Sequence, residues 1–211
     1  MPNTDVPLFL LTATVWAYWL GVAIMIVRVR RRTKQSVGVV PEQRIERLMW
    51  VVWVPLIASW VTLPYLAQTS QHPWLAVPAF AREAGYAALR YVAAACALIC
   101  LAATVWCWAR MGTEWRMAVS DTRKTELITD GLFKRIRHPI YAFSILLMLA
   151  SAVIVATPLM LLVALLHIAL MNMKAKNEED HLLRMHGDAY ERYLRGTGRF
   201  FPRLSSRDGL R

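Results

Sequence analysis

Apolar and polar residues fall along this chain in long blocks. Predominantly apolar windows run from Val6 to Val27, Leu48 to Leu66 and Leu89 to Ala109. Each is long enough to cross about 30 Å of hydrocarbon, which takes roughly 20 helical residues. A fourth apolar stretch, Ile140 to Met173, is too long for one ordinary span and is broken at Thr157-Pro158. That pair suits a helix end followed by proline at the first position of the next helix. Each arm is then about 16 to 17 residues long, near the lower limit for crossing. The pattern predicts an all-α, integral membrane helical bundle of about five transmembrane helices, the last two forming a hairpin. Beyond it, Leu182, Leu183, Met185, Tyr190, Tyr193 and Leu194 favour one side of a helix interrupted near Gly187. This predicts an amphipathic tail against the membrane interface or the body of the protein.

The polar blocks supply an orientation. Arg28, Arg30, Arg31, Arg32, Lys34, Arg44 and Arg47 fill the first loop, whereas the second, residues 67–88, carries only Arg82. By the positive-inside rule the first loop is cytoplasmic and the N-terminus outside. The loop from Arg110 to Arg137 and the tail from Lys174 to Arg211 then lie on the cytoplasmic side, as in a bacterial inner membrane. Hydrophobic residues make up 57% of the chain and charged ones 18%, too apolar for an ordinary soluble domain. The net charge of +11 therefore reads as topology and attraction to anionic lipid, with no motif for nucleic acid. The first apolar run is long and has nothing basic before it, so it is expected to remain as an anchor rather than be cleaved as a signal peptide. Cys96, Cys100 and Cys107 lack metal-type spacing and read as packing residues of the third span. No metal is expected. His167, deep in the last span, is read as a helix contact.

Chemistry concentrates at the two borders of the hairpin. Arg137-His138-Pro139-Ile140-Tyr141 enters it and Glu178-Glu179 follows it, so both borders should meet at one membrane face. Together they form a candidate site at the mouth of a membrane helix pair. The chain accordingly divides into a three-helix membrane region, residues 1–109, and a site-bearing region, residues 110–211.

The segment from Gly131 to Pro202 resembles the integral-membrane methyltransferases typified by isoprenylcysteine carboxyl methyltransferase, which include membrane phospholipid methyltransferases. The matching pieces are Gly131-Leu132-Phe133, Arg137-His138-Pro139-Ile140-Tyr141, Glu178-Glu179 with Leu182, and then Gly187, Tyr190, Tyr193, Arg199 and Pro202. Upstream, Met111-Gly112-Thr113-Glu114-Trp115 resembles the family's Gly-x-x-Trp segment. The resemblance implies binding of S-adenosylmethionine through Arg137, His138, Pro139, Tyr141, Glu178, Glu179, Tyr190 and Arg199. Arg137, His138 and Glu178 would be central to catalysis, with a lipophilic acceptor arriving from the bilayer. Trp115, Arg116 and Phe143 are the candidates for substrate contact, although Trp115 and Arg116 equally suit the headgroup layer. Phe143 and His186 depart from the family pattern, which commonly has glycine at the first position and an aromatic at the second.

The residue types fit that cofactor, whose carboxylate, ammonium and ribose need donors and acceptors together. Arg137, His138 and the amides of a helix starting near Pro139 suit a carboxylate, and Glu178 or Glu179 suits an ammonium or ribose. His138 or a glutamate would serve as base only for an amine or neutral thiol acceptor. Two other classes stay open: an NADPH-dependent reductase of sterol-reductase type, and a non-enzymatic membrane scaffold or transport protein.

Overall fold

A computed structural model describes residues 5–120 and 126–203; part of the basic loop after the third span and the end of the tail lie outside them. Six α-helices follow in order: α1 (Val6–Thr33), α2 (Arg44–Thr69), α3 (Ala84–Met111), α4 (Pro139–Val155), α5 (Pro158–His186) and α6 (Asp188–Gly196). Of these, α1, α2, α3 and α5 are long and apolar enough to cross a membrane, and α4 is a shorter apolar helix of 17 residues. The first five assemble as a helical membrane bundle.

Local sequence sets the helix ends. Asp5 caps α1, its Oδ1 accepting from Leu8 N at 3.2 Å, and Thr157 caps α5, its Oγ1 accepting from Met160 N at 3.3 Å. Pro139 and Pro158 occupy first-turn positions, where no helical N–H is required. The helix of the second hairpin arm does not stop with the apolar run at Met173. Lys174, Ala175, Lys176, Glu178, Glu179, Leu182 and Leu183 are good helix formers, and α5 continues through them to His186. Glu178 and Glu179 therefore stand within a helix rather than just beyond one.

The core lies along the bundle axis. Helix α3 presents Ala93, Ala94, Ala97 and Cys100, all buried, on a face that packs chiefly against α4 and α1; small residues there let the helix backbones approach closely. Cys107 is buried as well, and Cys96 is exposed. Leu11, Val15, Trp60, Leu147, Met148, Ile154 and Met160 fill the interior. Phe9, Leu20, Ile24, Val51, Leu162 and Leu165 point outward, as suits a bundle whose solvent is lipid. Buried polar groups cross-link the helices: Trp60 Nε1 donates to Ser151 Oγ at 2.9 Å, and Tyr86 Oη to Val153 O at 3.1 Å. Arg90 is 3% exposed, and its Nε donates to Ile154 O at 2.9 Å while Nη2 meets Asp5 Oδ2 at 2.7 Å. One cation thus ties the last turn of α4 to the start of α1.

Candidate active site

At the opposite end of α4 the tail returns to the hairpin. Helix α5 ends at Gly187, whose φ of +52° disfavours a side chain, and α6 begins at once. The chain after α6 then pairs with the segment before α4. Arg137 N donates to Gly198 O at 2.8 Å, His138 N to Arg199 O at 3.0 Å, and Gly198 N to Arg135 O at 3.1 Å. A Cβ on Gly198 would lie 1.7 Å from Phe201 O, so only glycine fits this bridge. Tyr193 Oη donates to Phe133 O at 2.6 Å and fixes α6 over the entry loop.

The two glutamates separate in role because neighbouring helical residues point about 100° apart. Glu179 is 8% exposed and saturated: Arg137 Nε donates to it at 2.9 Å, and Arg199 Nε and Nη2 at 3.1 and 2.6 Å. Arg137 Nη1 also donates to Leu194 O at 3.3 Å and to Thr197 O. This cluster clamps the tail onto α5. Arg199 Nη1 further reaches Asn172 Oδ1 at 3.0 Å. Glu178 instead accepts from Tyr141 Oη and has Lys174 Nζ at 3.8 Å.

His138 sits between them, with Nδ1 3.5 Å from Glu178 Oε2 and Nε2 3.3 Å from Glu179 Oε1. Its ring is stacked on that of Tyr141, with an interplanar angle of 4°. Burial favours the neutral imidazole, but the two carboxylates outweigh it and hold the His138 pKa above the ordinary 6.5. Burial, with Glu179 second, pushes the Tyr190 phenol up, so it stays a neutral hydroxyl.

These groups border a cavity of about 190 Å³. Arg137, His138, Pro139, Tyr141, Glu178 and Tyr190 line it, and Trp115 and Arg116 close it from the segment after α3. Tyr190 is 1% exposed, and its hydroxyl has no hydrogen-bond partner among the described residues. Glu179, Arg199 and Phe143, each expected at the site, do not line the cavity. The first two are spent in the clamp. Phe143 lies two residues beyond Tyr141, about 200° around the helix, and packs against the core.

Three residues not singled out from sequence support the cavity wall. Glu46 of α2 is 1% exposed; its Oε2 accepts from Val119 N at 3.1 Å and its Oε1 from Asn177 Nδ2 at 3.3 Å. Lys174 donates to Met117 O, and Met117 N donates to Val37 O at 2.9 Å. The wall segment is thereby latched to the first loop, α2 and α5. The available signal was a carboxylate, Glu46, set between Arg44 and Arg47 where an apolar run begins.

A helical membrane bundle with an ionic, tyrosine-lined cavity at one end of its last hairpin is the class defined by these features. Residues 88–189 match the model of the family described as "Phospholipid methyltransferase", in agreement with the motif resemblance. Tyr190, Tyr193 and Arg199 lie just past the end of that match. The chain is also 32% identical over 98 residues to the nickel-cobalt-cadmium resistance protein NccN of Alcaligenes xylosoxydans xylosoxydans. That alignment covers 46% of this chain and 46% of NccN, so the similarity spans about half the length of this curated relative.

Proposed function

We propose that this protein is an integral membrane methyltransferase that uses S-adenosylmethionine to methylate a small lipophilic acceptor, in the manner of isoprenylcysteine carboxyl methyltransferase. The observation that carries the proposal is the convergence of Glu178, His138, Arg137 and the unpartnered Tyr190 hydroxyl on one cavity beneath the first turn of α4. A ligand with both anionic and cationic groups satisfies that set, whereas a purely anionic one would face Glu178.

Ile140 and Tyr141, in the first turn of α4, line the cavity, and a helix N-terminus there suits a carboxylate, as does Arg137. Glu178 suits the ammonium or the ribose. Tyr190 would satisfy its hydroxyl on a further polar group of the ligand. When bound, S-adenosylmethionine supplies a sulfonium methyl, and the acceptor's lone pair forms the new bond as the sulfur–methyl bond breaks. The protein's part is alignment and exclusion of water. His138, whose pKa the two carboxylates raise, holds its proton more readily than an ordinary histidine, which suits it to donate a hydrogen bond. A carboxylate or thiolate acceptor would need no base.

The charge pattern supports a site on the cytoplasmic face of a bacterial inner membrane, with the N-terminus outside. Calorimetry of the detergent-purified protein tests the proposal: saturable heat with S-adenosylmethionine and none with NADPH is expected. The reverse outcome favours a reductase, and no heat with either defeats both enzymatic alternatives.

A further inference from the structure

Directly below the ionic site lies a second chamber of about 60 Å³. It shares Trp115, Arg116, Ile140 and Tyr141 with the larger cavity, so the two adjoin at these residues. Its remaining wall is built chiefly from Tyr18 and Trp19 of α1, Trp53 of α2, Trp108 of α3, Ser144 of α4 and His167 of α5. Ser144 is one turn beyond Tyr141 on the same face of α4, which puts the chamber deeper in the bundle than the ionic site.

Its walls combine two properties. They are aromatic and mutually braced, with Tyr18 and Trp108 centroids 5.4 Å apart and those of Trp19 and Trp53 5.8 Å apart. They also carry unused polarity: Trp19 Nε1, Trp53 Nε1, Trp108 Nε1 and His167 Nδ1 are buried without a hydrogen-bond partner among the described residues. Trp108 and His167 are only 3% and 2% exposed. His167 Nε2 is already engaged by Ser144 Oγ at 2.9 Å, so its ring is oriented with the other nitrogen still unmet. Buried polar atoms in proteins nearly always find partners, and here four without one belong to a single chamber. An indole N–H only donates, so what it lacks is an acceptor.

We propose that this chamber is the acceptor subsite, and that it selects a compact, ring-shaped lipophile bearing a hydrogen-bond-accepting oxygen over an open-chain lipid tail. A flat ring stacks on aromatic walls, and its oxygen meets the indole donors. A saturated chain, even one that ends in a hydroxyl, has no ring to stack on those walls, so the two probes differ in stacking while sharing an accepting oxygen. The proposal rests on the methyltransferase assignment only for the word acceptor; the binding preference stands on the chamber itself.

The test uses the full chain in detergent, with equilibrium dialysis of 2-naphthol and of 1-octanol, each corrected for partition into empty micelles. Saturable binding of 2-naphthol is expected, with 1-octanol showing partition alone. Trp108→Phe and Trp53→Phe keep a ring but delete one donor, and each should weaken 2-naphthol binding about 3- to 10-fold, the worth of one hydrogen bond. Trp74→Phe, at an exposed position outside the chamber, should leave it unchanged. S-adenosylmethionine binding should be the same in all three variants. Equal saturable binding of 1-octanol, absence of saturable 2-naphthol binding, or wild-type affinity in both chamber variants would overturn the proposal. Binding of 2-naphthol without S-adenosylmethionine binding to the wild type would instead overturn methyl transfer and leave the ring-selective chamber standing.

Discussion

Adjacent glutamates with different duties make a sharp test, because Glu178→Ala and Glu179→Ala should fail in different assays. Glu179 is 8% exposed and receives three guanidinium hydrogen bonds, from Arg137 at 2.9 Å and from Arg199 at 3.1 and 2.6 Å. Its removal leaves Arg137, with a side chain 12% exposed, without its carboxylate, while Arg199, at 33%, can regain water. Stranding a buried charge costs about 3–5 kcal/mol, and the partial exposure of Arg199 places the expectation at about 3. For a chain of this length that corresponds to a fall in Tm of roughly 6–12 °C, at 2–4 °C per kcal/mol. Glu178 is more open, at 24% side-chain exposure, and faces the cavity. Glu178→Ala should lower Tm less than Glu179→Ala, because Glu178 meets Tyr141 and Lys174 rather than three guanidinium hydrogen bonds. It should nonetheless lose S-adenosylmethionine affinity by roughly one to two orders of magnitude, the worth of a charge-assisted bond. Thermal melts in detergent and calorimetry on the same preparations decide it. A Glu179→Ala protein that melts like the wild type, beside a Glu178→Ala protein with full cofactor affinity, would refute the division of labour.

The raised pKa of His138 means that its contacts with Glu178 and Glu179 stabilise the fold fully below the ordinary value of 6.5 and lose that contribution as pH rises through the higher folded value. The Tm advantage of wild type over His138→Asn should therefore shrink with rising pH in this window, and a constant advantage would count against an imidazolium there. Arg90→Ala should lower Tm without altering S-adenosylmethionine binding, since it frees Ile154 O and Asp5 at the end of the bundle away from the cavity; a lowered cofactor affinity at unchanged Tm would contradict this. Glu46→Ala should weaken cofactor binding although it removes no cavity-lining charge, because it releases Val119, which lines the larger cavity; calorimetry with S-adenosylmethionine measures the loss, and unchanged affinity would contradict it. Single cysteines placed in the tail of an otherwise cysteine-free chain should resist impermeant reagents added outside intact cells, and labelling there would reverse the proposed orientation.

The blocked pattern of apolar residues made the bundle legible, because a helix that must satisfy every backbone group inside lipid announces itself by length and apolarity. The hairpin break was legible too, since Thr157 caps and Pro158 starts a helix by purely local chemistry. Where polarity and helicity part company, the pattern misled: charged residues end an apolar block but not a helix, so α5 runs on past Met173 to His186. Adjacency in sequence was the other weak guide. Glu178 and Glu179 look equivalent until helical rotation turns one toward the cavity and the other toward Arg137 and Arg199. Phe143 looks like a neighbour of Tyr141 until the same rotation carries it to another face.

What stayed hidden was the contribution of the N-terminal half, whose apolar spans carry no motif. The cavity wall from Trp115 to Val119 has little regular structure to hold it, and its position depends on Val37, Glu46 and Lys174. The first of these lies in the loop after α1, the second on α2 and the third on α5, so three remote stretches must agree before the wall is in place. Tyr18, Trp19 and Trp53 similarly bring α1 and α2 to the chamber beneath. The ionic end of the site is therefore built by the last hairpin and tail, while its lipophilic side is shaped by helices that precede them. Two proteins with the same Arg-His-Pro and Glu-Glu borders but different first spans would accordingly share the charged half of the site and differ in which lipophile they admit.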